Sequence, residues 1–162
     1  MQITQSLLDS LSSQAKSSPR LRQNYDLRTT PEDNSQRMLN ALEPGTVMPI
    51  HRHRNTSETV VIIRGSLVER FYDDEGRLTE EVLMVPGGEN PAVQIEKGRW
   101  HNLECLEPDT VLFEAKDGAW ESLAEEDIMR ETFVQTEGIE ACFKMAEARR
   151  KKSQRIKRRE AD

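Results

Sequence analysis

Residues 45–65 read GTVMPIHRHRNTSETVVIIRG and contain His51 and His53, two of the three histidines in the chain. The stretch divides into a strand-like "TVMPIHRH", a polar "RNTS" turn, and an apolar run headed by Glu58. On a strand, residues i and i+2 share a face, so His51 and His53 project side by side while Arg52 and Arg54 point away. Glu58 is a lone acid before five uncharged residues. A carboxylate heading a buried run needs a partner, which a turn, Arg64, Arg99 or a cation could supply.

Working outward, residues 36–115 alternate β-rich runs with Gly, Pro, Asn and Asp clusters: "QRMLNAL", "ETVVIIRGSLVERFY", "RLTEEVLMV", "AVQIEKGRWHNLECL" and "VLFEAK". That rhythm predicts an all-β core, an antiparallel sandwich or barrel. In "FYDDEGRL" Gly76 supplies the positive φ of a hairpin turn. Upstream, Ile3, Leu7, Leu8, Leu11 and Ala15 mark one stripe of an N-terminal helix, followed by a turn-rich surface connector containing Pro19 and Pro31. After "KDGAW" the pattern becomes helical and charged. The expected organisation is therefore helix and connector over 1–35, β-core over 36–118, and a helical extension with a basic tail over 119–162.

The 162 residues suit one domain. Residues 149–159 carry eight basic side chains and no acid, leaving 23 − 8 = 15 basic against 29 acidic residues elsewhere. An acidic body disfavours a general nucleic-acid surface; only the tail could contact a polyanion, and a solvated helix end is the favoured reading for it. Cys105 and Cys142 have no metal-site or disulfide spacing, and Cys105 reads as a small buried hydrophobe. Trp100 and Trp120 read as packing aromatics, with Trp120 covering one end of the core. No signal segment or membrane-spanning run appears, so a cytoplasmic protein is expected.

The third histidine, His101, opens another strand after the Gly98 turn. An antiparallel barrel can bring it beside the first pair. Three neutral imidazoles and Glu58 around one interior point would bind a divalent transition metal such as Fe, Mn, Ni, Cu or Zn, with positions left for water or substrate.

Written as GxxxxxHxHxxxxExxxxxxG, the opening stretch resembles the first motif of the cupin superfamily at every named position. The second motif, GxxxxxPxGxxHxxxN, is matched by Gly98 and His101, while Asn90, Glu96 and Cys105 depart from it. With "SPRLRQNYDLR", "FYDDEGRLTEEV" and "GRWHNLECLEPDTVLFEAKDG", residues 3–130 resemble the WbuC-type cupin-fold metalloproteins. This resemblance implies an antiparallel jelly-roll barrel, metal held by His51, His53, Glu58 and His101, a homodimer, and a role in surface-polysaccharide (O-antigen or lipopolysaccharide) metabolism.

Three functions follow. The first is Lewis-acid isomerase or epimerase chemistry on a sugar, sugar-nucleotide or similar small molecule. The second is an iron-dependent dioxygenase or oxidoreductase, because the same donors suit iron. The third is a non-catalytic module that binds a small ligand. No catalytic residue beyond the metal ligands is assigned.

Overall fold

Leu8, Leu11 and Ala15 fall on one face of α1 (Gln5–Ser17), which starts where the Leu7 N–H donates to Thr4 Oγ1 at 3.3 Å. The computed structural model describes residues 1–129. The stripe packs on Leu39, Ala41 and Val111, so the helix covers the outer face of a sheet. Arg64 ties it down: its guanidinium donates to Leu8 O at 3.1 Å and Ser12 Oγ at 2.6 Å, and pairs with Asp9 at 2.6 Å.

Eight strands follow: β1 (Arg22–Asp26), β2 (Ser35–Leu42), β3 (Glu58–Arg64), β4 (Leu67–Tyr72), β5 (Leu78–Met84), β6 (Ala92–Ile95), β7 (Trp100–Cys105) and β8 (Thr110–Asp117). They form a five-stranded sheet of order β1-β2-β8-β3-β6 and a three-stranded sheet of order β5-β4-β7, with every pairing antiparallel. Between their inner faces lies a core that includes Leu42, Ile62, Leu67, Phe71, Met84 and Leu112.

The expected closed jelly-roll barrel does not form; the two sheets are open. Among the described residues, no ladder joins an edge of one sheet to an edge of the other. Residues 46–53, expected as a strand that could close a barrel, make only isolated bridges at His51. Pro49 lacks a backbone donor in this segment, which interrupts pairing along it. The surface connector also differs from expectation, because its residues 22–26 pair with β2 as β1.

The helical pattern expected after "KDGAW" is not realised in the described part of the extension. Residues 119–129 contain one 3-10 turn, Glu125–Asp127, in otherwise irregular chain. The basic tail, residues 149–159, lies outside the described residues. Among the described residues no helix is long and apolar enough to cross a membrane.

Candidate metal centre

The backbone brings the three histidines together before their side chains are considered. His51 N–H donates to His101 O and His101 N–H to His51 O, both at 2.9 Å. His53 O accepts from Gly98 N–H at 2.7 Å, so the turn before β7 is fastened to the second histidine. Gly98 has φ +79°, a conformation that favours glycine. Arg52 N–H donates to Asp127 O, and the Asp127 carboxylate pairs with the guanidinium groups of Arg52 and Arg54.

Glu58 is the first residue of β3, opposite Ile95 on β6 and Lys116 on β8. One potential ligand atom from each of His51, His53, Glu58 and His101 lies within 4.8 Å of the others. The four predicted residues therefore converge, although His51 and His53 lie in an irregular segment and not on a regular strand. The alternative partners of Glu58 are engaged elsewhere, Arg64 with Asp9 and Arg99 with Glu80.

The ring nitrogens have the division of labour a metal site requires. His51 Nδ1 lies 3.0 Å from Pro49 O, and His101 Nδ1 lies 2.9 Å from Arg99 O. A carbonyl accepts only from N–H, so these contacts put a proton on each Nδ1, and in the neutral His51 ring they leave Nε2 with its lone pair. His101 Nε2 is buried without a hydrogen-bond partner, yet lies 2.6 Å from Glu58 Oε1. The four donor atoms together fit a divalent transition metal.

Electrostatics agree. Burial, reinforced by His101, lowers the His51 pKa to about 3; burial and the Lys116 ammonium lower that of His53 to about 4. Both rings are neutral at physiological pH, as metal ligands must be. For Glu58, burial works to raise the pKa, but His101 and Lys116 outweigh it and hold the carboxyl well below the usual carboxylate range.

Sequence reasoning missed the groups behind the ligands. Lys116 Nζ lies 3.0 Å from Glu58 Oε2, 3.1 Å from His53 Nε2 and 2.7 Å from Glu114 Oε1. Asn40 Nδ2 donates to Glu114 Oε2 at 3.0 Å. Burial, then repulsion from Glu58, raises the Glu114 pKa. The signal was present in "TVLFEAK", where period-two alternation puts Glu114 and Lys116 on the same face as Leu112.

The cluster opens into a cavity of about 830 Å³ between the sheets, whose lining includes Asn40, Glu69, Glu114 and Trp120. Trp120 is 63% exposed and does not pack as the expected core aromatic. Trp100 does pack, against Ile50 and Tyr72, with the Arg52 guanidinium 4.3 Å from its ring centroid. Cys105 is buried, and burial pushes its thiol pKa up to about 11, in keeping with an inert core residue.

The fold is cupin-like, and it carries a candidate three-histidine, one-glutamate metal centre. The fold resembles KdgF from Halomonas sp., with TM-score 0.51 and 19% identity over 64% of this chain and 84% of that one. It also resembles CapF, a capsular polysaccharide assembling protein from Staphylococcus aureus, with TM-score 0.56 and 23% identity; the match covers 78% of this chain but 35% of CapF. BH2720 from Bacillus halodurans aligns with TM-score 0.52 and 16% identity over 69% of this chain and 80% of that one. No curated protein matches the sequence. Residues 3–84 match the family described as a domain of unknown function, DUF6016, and the chain belongs to that family.

Proposed function

We propose that this chain is a WbuC-type cupin that holds one divalent transition metal through His51, His53, Glu58 and His101. In this reading it acts on a sugar, sugar-nucleotide or similar oxygen-rich small molecule in surface-polysaccharide metabolism, by isomerase- or epimerase-like proton transfer. The observation that carries it is the convergence of one donor atom from each of His51, His53, Glu58 and His101 within 4.8 Å, with a cavity beside them. The likeness of fold to CapF supports the polysaccharide connection.

When bound, the metal would supply a Lewis acid able to polarise a carbonyl or hydroxyl oxygen. The protein's part is to hold its donors in place. The Pro49 and Arg99 carbonyls orient His51 and His101, and Lys116 anchors the second oxygen of Glu58. The Glu58 carboxylate offsets cationic charge in a buried setting, and the sheets on either side limit water.

The test is to incubate cobalt-loaded and iron-loaded protein with aldose and ketose phosphates in D2O and follow carbon-bound deuterium by NMR, with dissolved oxygen monitored in parallel. Deuterium incorporation without oxygen uptake is expected. Oxygen uptake confined to the iron form would instead support a dioxygenase, which the same donor set also suits.

A further inference from the structure

The cavity contains a second, chemically different group. Glu69 lies in the middle of β4 on the face shared by Leu67 and Phe71, and pairs across the sheet with Val82 on β5 and Leu103 on β7. It is 1% exposed, and neither carboxyl oxygen has a hydrogen-bond partner. It also lines the same cavity as the four candidate ligands. Two pairs further along, on the same face, Phe71 lies opposite His101, so Glu69 and His101 belong to adjacent rows of the inner face.

A buried carboxyl without a partner carries an uncompensated desolvation cost. Apolar neighbours on both sides would suit a leucine at this position better. The cost is offset if the partner is a bound molecule. Burial, followed by the charges of Glu58 and Glu114, raises the Glu69 pKa well above the ordinary value and so favours the protonated carboxyl, which can donate as well as accept.

The geometry points to Glu69 as a ligand-binding residue whose carboxyl hydrogen-bonds a hydroxyl-bearing small molecule seated in the cavity beside the His51, His53, Glu58 and His101 cluster. This rests on the reading above that the cavity receives an oxygen-rich small molecule. It adds the protein group, remote from the ligand set, that recognises one of that molecule's oxygens.

The full chain, loaded with Co(II), is titrated with D-gluconate and with uncharged D-glucitol, following the fluorescence of Trp120 on the cavity wall. Wild type is compared with Glu69→Leu and Glu69→Gln, and cobalt content and melting temperature are measured for each. Glu69→Leu should keep its cobalt, melt at or above the wild-type temperature and bind the probes about tenfold or more weakly. Glu69→Gln, whose amide both donates and accepts, should stay within about threefold of wild type. Unchanged probe affinity in a cobalt-loaded Glu69→Leu protein overturns the assignment, as does failure of wild type to bind either polyol. If wild type takes up no cobalt, the metal reading fails by itself, and the same titration of metal-free protein still decides the role of Glu69.

Discussion

His51 and His53 are buried deeply enough to resist protonation, and this has a consequence for stability. Their folded pKa values, about 3 and about 4, lie below the ordinary histidine value of 6.5. Above pH 6.5 both rings are neutral whether the chain is folded or not. As pH falls below 6.5 the unfolded chain takes up protons that the folded protein refuses, so stability is lost progressively down to pH 4 and then 3. Metal-free protein should therefore lose up to about 5 kcal/mol between pH 7 and pH 4.5 in urea unfolding, and a His51→Asn, His53→Asn double variant should lose much less. Equal slopes for the two proteins would contradict the burial argument. At this scale the histidines were legible in sequence because the chain has only three and their spacing is distinctive. Glu114 and Lys116 were marked only by sharing a face with Leu112 and Glu69 only by sharing one with Leu67 and Phe71; a charged residue in a strand can face water or the interior, and the register is what places these three inside.

At the scale of elements, Gly65 shows why the opening stretch ends on glycine. It separates β3 from β4 with φ +77°, and a Cβ built there would lie 2.2 Å from Thr110 Oγ1 and 2.7 Å from Thr110 Cα. Thr110 cannot yield easily, because its hydroxyl accepts from Ser66 N–H and donates to backbone carbonyl oxygen. Gly65→Ala should cost about 3 kcal/mol or more, from strain and overlap together. Gly87→Ala, with φ +65° but nothing within 4 Å, should cost only about 1 kcal/mol. Chemical denaturation compares the two directly, and similar losses would show that the Thr110 contact is unimportant. The helix and the later strands were legible because their apolar periods are regular. The strand β1 was hidden in "RQNYD", which has polar side chains on both faces and depends for its place on pairing with β2. The opposite error fell on residues 46–53, where a strand-like pattern meets Pro49 and the histidines are held by isolated bridges.

At the scale of the whole molecule, a metal centre between two open sheets needs its four donors to be carried by separate parts of the chain. The irregular segment after β2 supplies His51 and His53, β3 supplies Glu58, and β7 supplies His101. Closure of a barrel is not required for this, because backbone hydrogen bonds between His51 and His101 and between Gly98 and His53 join the parts at the site itself. The cupin motif named four residues that do converge, but the closed barrel it implied does not form. The motif records which residues meet, whereas closure depends on edge pairing, which Pro49 interrupts along its segment. The most direct test of the central claim is the metal stoichiometry of the purified chain by elemental analysis after reconstitution with Co(II), repeated for His51→Ala, Glu58→Gln and His101→Ala. One cobalt per wild-type chain, with content falling well below half in each folded variant, is the predicted result. Undiminished cobalt in His51→Ala and His101→Ala would contradict the account.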